Sequence, residues 1–93
     1  MSLKERLLND FKEAMKNKDT VLKDTIQLLR SAVLKVEKDK QITLDDEGII
    51  EVLAKELKSA KDTLAEMEKS DRGDLIEKAK REIEIIQQYL PQQ

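Results

Sequence analysis

Residues 20–38 read TVLKDTIQLLRSAVLKVEK, and the spacing of their apolar residues decides the fold class. These residues recur at steps of four, three, four and three, at Leu22, Ile26, Leu29, Val33 and Val36. Such steps place side chains on one face of an α-helix, whereas a strand would alternate apolar and polar residues. The stretch therefore predicts an amphipathic second helix, whose apolar face is widened by Thr25, Leu28 and Ala32.

A first helix is predicted over about residues 2–16, with Ser2 as its N-cap. Its wide apolar stripe consists of Leu3, Leu7, Leu8, Phe11, Ala14 and Met15. The turn Asn17-Lys18-Asp19 separates the two helices, because Asn17 tolerates the left-handed conformation and Asp19 can cap the second helix.

The next break is predicted at Lys40-Gln41-Ile42. Thr43 then begins a capping-box pattern, which predicts that its side chain caps a third helix ending near Lys69. The apolar residues of this helix alternate steps of three and four, at Ile50, Leu53, Leu57, Ala60, Leu64 and Met67.

A turn over residues 70–73 (Ser-Asp-Arg-Gly) leads into a fourth helix, which Pro91 ends. Its apolar residues are Ile76, Ala79, Ile83, Ile86 and Leu90. On its outer face, ion pairs between residues i and i+4 are expected at Glu77/Arg81, Lys78/Glu82 and Lys80/Glu84. Since no stretch has the period of a strand, the fold class is all-α: one domain over residues 1–93, with four helices forming two antiparallel helical hairpins.

The composition limits the chemistry of this chain, which contains no histidine and no cysteine. This excludes Ser-His-Asp and Cys-His catalysis and thiolate metal sites. The acidic run Asp45-Asp46-Glu47-Gly48 lacks the spacing of a calcium loop and is typical of a helix start. We therefore expect no catalytic residue, no metal ligand and no cofactor.

No apolar run approaches the roughly 20 residues that span a bilayer. The N-terminal residues MSLKERLL lack the apolar core of a signal peptide. These features favour a cytoplasmic protein without membrane contact.

The charge is divided unevenly: residues 1–40 contain 10 Lys/Arg and 7 Asp/Glu, whereas residues 41–93 contain 8 and 13. A basic N-terminal half can approach phosphates, so the candidate RNA-binding residues are Lys16, Lys18, Lys23, Arg30, Lys35 and Lys38. With one Phe and one Tyr in the chain, base stacking on single-stranded RNA is not expected. The alternative is that these cations form an ordinary solvated helix surface.

Four segments carry a family resemblance: AMKNKD (14–19), LLRSA (28–32), RGDL (72–75) and EIEIIQQYLPQQ (82–93). With them, the whole chain resembles the YqeY-like (GatB/YqeY) family, which is similar to the C-terminal tail of the GatB component of the aspartyl/glutamyl-tRNA amidotransferase. The resemblance implies a helical domain linked to tRNA-dependent amidation, in which the homologous tail contacts tRNA. It also implies that the carbon–nitrogen ligase activity, with glutamine as amide donor, resides in other domains and other polypeptides of the amidotransferase.

The chain departs from the family in two respects. YqeY-like proteins usually continue after the YLP-x-Q motif into a second, smaller helical subdomain, which we expect to be absent here. The segment Lys58-Ser59-Ala60-Lys61 is also less basic than the corresponding run in the family.

The resemblance and the basic half together predict a non-catalytic adaptor whose partner is tRNA or a tRNA-modifying assembly. The alternative is a protein-interaction or oligomerisation module, including a homo-oligomer, that makes no RNA contact.

Overall fold

The computed structural model describes residues 1–70 and 73–91. Over these residues it contains four helices and no strand: α1 (Leu3–Lys16), α2 (Thr20–Lys40), α3 (Asp46–Lys69) and α4 (Gly73–Gln87). The all-α prediction is confirmed for this part of the chain. Residues 71, 72, 92 and 93 lie outside it, including Asp71 and Arg72 of the predicted turn and the end of the YLP-x-Q motif.

The first two helices form an antiparallel hairpin. Lys4 on α1 bonds to Glu37 on α2, and Phe11 on α1 packs under Arg30 on α2. Moving two turns along α1 thus moves the partner two turns back along α2. The α3 helix packs along α4, and α4 also packs on α2, so the second hairpin covers the first.

A single core lies where the two hairpins meet. Its buried side chains are Leu3, Leu7, Ile26, Leu29, Val33, Ile49, Leu53, Ile85, Ile86 and Tyr89. Three of these were not among the predicted apolar positions: Ile49, Ile85 and Tyr89. Two residues of the predicted stripes face solvent instead, Met15 (48% exposed) and Leu28 (51% exposed). They lie outside the core because α3 and α4 cover only one side of the α1–α2 hairpin.

The predicted N-terminal caps of the first two helices are confirmed. Ser2 accepts a hydrogen bond from the Glu5 N–H and completes a capping box, and Asp19 accepts one from the Leu22 N–H. The turn between these helices differs in detail. Asn17 keeps a right-handed conformation, and Lys18 adopts the positive φ of 57°.

The predicted cap of α3 is wrong. Asp45, not Thr43, caps the helix, because the Asp45 side chain accepts the Gly48 N–H at 2.8 Å. Thr43 remains outside the helix, and the N–H of the next residue, Leu44, donates to the Glu37 carboxylate at 2.8 Å. A side chain from α2 thus binds the segment that leads into α3.

Two helix ends also differ from the prediction. The α2 helix continues past Lys38 to Lys40, and Gln41 ends it in the left-handed conformation (φ 55°, ψ 46°). The α4 helix ends at Gln87, before Pro91. The N–H groups of Tyr89 and Leu90 then bond to carbonyls three residues back, which tightens the chain after the helix.

Candidate functional site

A groove of about 270 Å³ lies between α1 and α2. Its aliphatic lining consists of Leu7, Leu8, Val33, Leu34 and Ile49. Leu7, Val33 and Ile49 are buried and form the floor, whereas Leu8 is half-buried and Leu34 is 56% exposed. The two outer leucines, one from each helix, therefore form opposite walls of an apolar groove that is open to solvent.

Charged side chains surround this groove. Lys4 donates a hydrogen bond from Nζ to Oε2 of Glu37 at 2.6 Å. The hydrogen bonds from Lys4 and from the Leu44 N–H hold the pKa of the Glu37 carboxyl below its ordinary value. Glu5 is also engaged, since its carboxylate accepts the Ser2 hydroxyl at 3.0 Å.

Among the described residues, Arg30 contacts an aromatic ring and not a carboxylate. Its guanidinium carbon lies 5.3 Å from the centre of the Phe11 ring, a cation–π contact between α2 and α1. Arg30 forms no ion pair with any carboxylate in the described part of the chain. Its charge therefore remains available at the edge of the groove.

The six candidate RNA-binding residues do not form one continuous surface. Lys16 and Lys18 are exposed at the α1–α2 turn, and Lys23 is half-buried, with its ammonium 3.6 Å from the Asp24 carboxylate. Arg30 lines the groove between α1 and α2. Lys38 is exposed near the end of α2.

Lys35 lies on a different side of α2 from Arg30. It lines a depression between α2 and α3 together with Glu51 and Glu56. Five helical residues correspond to a rotation of about 140°, which explains the separation of Lys35 from Arg30. One flat polyanion could therefore not contact both residues equally well.

One further ion pair ties α4 to the α1–α2 turn. Arg81 donates to the Asp19 carboxylate at 2.6 Å, which lowers the pKa of Asp19 and raises that of Arg81. The predicted Glu77/Arg81 pair is wrong, because Arg81 reaches across to the first hairpin. Glu77 instead lies 4.0 Å from Lys80, at i,i+3. Over residues 1–70 and 73–91, neither Lys78/Glu82 nor Lys80/Glu84 forms an ion pair.

A second cluster that joins the two hairpins is built around Tyr89. The Tyr89 hydroxyl donates to the Asp10 carboxylate at 2.5 Å, and the Arg6 guanidinium lies 4.6 Å from the centre of the ring. Arg6 also donates to the Gln88 carbonyl at 3.2 Å. Burial, and then the hydrogen bond to Asp10, raise the pKa of Tyr89. This cluster joins the segment after α4 to α1.

The sequence does not predict the groove, although it contains one signal for it. Leu34 lies outside the apolar stripe of α2, so a large leucine was visible on the solvent side of a strongly amphipathic helix. Its partner Leu8 was assigned to the apolar stripe of α1 as a core residue. Only the packing of the two helices shows that both leucines face the same opening.

None of the described helices is long and apolar enough to cross a lipid bilayer.

Residues 4–93 match the protein family described as "Yqey-like protein". Among curated proteins, the chain is similar to "Altered inheritance of mitochondria protein 41, mitochondrial" of Lachancea thermotolerans, with 39% identity over 87 residues. That alignment covers 92% of this chain and 46% of the relative. The Kluyveromyces lactis protein of the same name is 39% identical over 84 residues, covering 89% of this chain and 45% of the relative.

An uncharacterised protein of Schizosaccharomyces pombe is also similar, with 26% identity over 80 residues. That alignment covers 86% of this chain and 65% of the relative. The chain spans about half the length of the first two relatives.

Proposed function

Because this chain belongs to the YqeY-like family, we propose that it is a non-catalytic helical adaptor in glutamine-dependent, tRNA-linked amidation, and that its basic residues contact tRNA. In such a system the carbon–nitrogen ligase chemistry, with glutamine as amide donor, belongs to the assembly that the adaptor serves. The adaptor holds the RNA substrate or the assembly in place.

One observation supports the proposed RNA contact. Five of the six candidate cations form no ion pair with any carboxylate in the described residues: Lys16, Lys18, Arg30, Lys35 and Lys38. A cation that is already paired must break that pair before it can neutralise a phosphate, whereas an unpaired one releases only counterions. The cations at the α1–α2 turn and along the adjoining face of α2, namely Lys16, Lys18 and Arg30, can therefore contact a phosphate backbone at small cost, whereas Lys35 lies on another side of α2.

Titration of the 93-residue chain with tRNA over a series of salt concentrations tests this proposal. We expect weak binding whose affinity falls steeply as the salt concentration rises. The triple variant Lys16→Glu/Lys18→Glu/Arg30→Glu should bind at least about tenfold more weakly at low salt, and each lost phosphate contact should reduce the salt slope by about one.

The matched control is the double variant Lys58→Glu/Lys61→Glu. Both lysines are exposed on α3 and form no ion pair with a described carboxylate, but they lie outside the proposed surface. An equal loss per reversed charge in the two variants would show that only net charge matters. That result, or an absence of binding at low salt, would refute the proposed RNA surface.

The alternative function, a protein-interaction or oligomerisation module without RNA contact, is favoured by a different observation. Three large apolar side chains of the α1–α2 hairpin are about half exposed: Met15, Leu28 and Leu34. Burial of such side chains in an interface lowers the free energy by about 25 cal/mol per Å² of apolar surface removed from water. Light scattering after size-exclusion chromatography tests self-association: a concentration-dependent increase in mass supports the oligomer, and a constant monomer mass rejects it.

For the location, the sequence favours the cytoplasm, and the names of the two 39% identical relatives make the mitochondrion the alternative. Fractionation of cells that contain the native protein distinguishes these compartments.

A further inference from the structure

We propose that the groove between α1 and α2 binds an acidic amphipathic helix of a partner protein, with an aliphatic side chain of that helix inserted between Leu8 and Leu34. This inference rests on the second candidate function, protein interaction, and does not require tRNA binding. It is carried by the shape of the groove, by its apolar lining and by the order of charges along both walls.

The apolar lining selects the class of ligand. Three buried aliphatic side chains form the floor, and Leu8 and Leu34 form the walls. Phosphates and riboses need hydrogen-bond donors, which this floor does not offer, whereas an aliphatic side chain fits it without leaving a polar group unpaired. The single aromatic ring beside the groove, Phe11, is half-buried under Arg30, so a stacked base has no open platform there.

The backbone around the groove favours a helical ligand over an extended one. Both walls are α-helices, whose interior N–H and C=O groups are already bonded within the helix, so a β-strand would find no edge to extend. Polyproline segments dock on exposed aromatic side chains, which this groove lacks. A third helix, in contrast, packs naturally into the groove between two antiparallel helices.

The charged residues beside the groove indicate that the partner helix is acidic. On α1 the wall residue Leu8 lies between Lys4 and Lys12, each four residues away. On α2 the wall residue Leu34 lies between Arg30 and Lys38 at the same spacing. Residues four apart share one face of a helix, so each wall leucine has a cation one turn before it and one turn after it.

Most of these cations are not neutralised by the protein itself. Lys4 is paired with Glu37, but Lys12, Arg30 and Lys38 form no ion pair with a described carboxylate. Glu5, which also lines the groove, accepts the Ser2 hydroxyl and keeps its negative charge, but the four flanking cations outnumber the two carboxylates Glu5 and Glu37. A helix with an aliphatic stripe flanked by Glu or Asp therefore complements both the apolar lining and the charge of the walls.

The test uses three designed peptides of about 15 residues, or four helical turns. The first has leucines at steps of three and four with glutamates beside them, the second replaces the glutamates by lysines, and the third replaces the leucines by glutamines. Each is labelled with a fluorophore, and its binding to the full chain is measured by fluorescence anisotropy. We expect only the acidic peptide with leucines to bind.

Two exposed leucines on α2 provide matched variants. Leu34 lines the groove, whereas Leu28, exposed to a similar degree, lies about 120° away around the helix. We expect Leu34→Gln to weaken binding of the acidic peptide about fivefold or more, and Leu28→Gln to leave it within about twofold. Because both side chains are exposed, neither substitution should unfold the protein, which circular dichroism verifies.

Several outcomes would overturn the proposal. They are no saturable binding of the acidic peptide, equal binding of the acidic and basic peptides, or equal effects of the two leucine variants. A dimer that Leu34→Gln dissociates would identify a second copy of the chain as the occupant. Loss of tRNA binding in Leu34→Gln but not in Leu28→Gln would assign the groove to RNA. If tRNA binding fails altogether while the acidic peptide still binds, the RNA proposal falls and this one stands.

Discussion

Lys4 on α1 and Glu37 on α2 form a hydrogen-bonded ion pair of 2.6 Å at one end of the α1–α2 groove. The same Glu37 carboxylate accepts the Leu44 N–H at 2.8 Å, in the segment that leads into α3. One side chain of α2 thus joins α1 to the start of the second hairpin.

Removal of Glu37 should therefore cost more stability than removal of Lys4. Glu37→Ala loses the ion pair and leaves the Leu44 N–H without its acceptor, whereas Lys4→Ala loses only the ion pair. We expect the urea midpoint to fall further for Glu37→Ala than for Lys4→Ala. The control Glu68→Ala removes an exposed α3 carboxylate without a described partner and should leave the midpoint unchanged. Equal losses for Glu37→Ala and Lys4→Ala would contradict the linking role.

The lowered pKa values of Asp19 and Glu37 predict how the stability of the fold depends on pH. Hydrogen bonds from Arg81 to Asp19 and from Lys4 to Glu37 hold both pKa values below their ordinary values of 3.8 and 4.5. A carboxyl whose pKa is lower in the folded state stabilises the fold above its unfolded pKa. That stabilisation is lost as the pH falls through the folded pKa.

We therefore expect the urea midpoint to fall as the pH is lowered below about 4. The double variant Asp19→Asn/Glu37→Gln should start from a lower midpoint at neutral pH and show a weaker decline below that pH. Urea titrations of both proteins at a series of pH values measure this difference. Parallel pH profiles for the two proteins would count against the assignment to these carboxylates.

The Tyr89 cluster should contribute measurably to stability. Tyr89→Phe keeps the buried ring and its contact with Arg6 but loses the hydrogen bond to Asp10, which should cost about 0.5–1.5 kcal/mol of unfolding free energy. Tyr89→Ala also empties the ring site and should cost about 3–5 kcal/mol. Chemical denaturation measures both values.

A double-mutant cycle tests whether the hydrogen bond is the cause. Asp10→Ala combined with Tyr89→Phe should destabilise less than the two single losses added together, because both remove the same contact. Strict additivity would show that the Tyr89 hydroxyl and Asp10 are not coupled.

The two glycines should respond differently to a methyl group. Helices favour alanine over glycine by up to about 1 kcal/mol. A Cβ on Gly73, at the start of α4, would meet no atom of the described residues within 4 Å, so Gly73→Ala should raise the unfolding free energy. A Cβ on Gly48 would lie 2.8 Å from Cδ2 of Leu44, which is half-buried against the core and would have to move.

We expect Gly48→Ala to gain less than Gly73→Ala, or to lose stability. Thermal and chemical denaturation of the two variants provide the comparison. The reverse order would show that Leu44 moves without cost.

The candidate site was predictable only in part. Charge and spacing identified Lys16, Lys18, Arg30 and Lys35 as candidate RNA-binding cations, but not that Lys35 lies on another side of α2 from Arg30. Leu8 and Leu34 are separated by 25 intervening residues in the chain, and no local pattern relates one to the other. Their proximity follows from the packing register of two helices.

The sequence alone determined the four helices, the breaks that follow α1 and α2, the capping by Ser2 and Asp19, and membership of a family. Each of these depends on residues within a few positions of one another, because helical periodicity and capping act over one turn. Tertiary structure alone decided that Arg81 pairs with Asp19 and that Glu37 binds the segment before α3. It also decided which leucines enclose a groove. Those outcomes depend on contacts between distant segments. Arg81, for example, pairs with Asp19 on the other hairpin and not with Glu77 on its own helix.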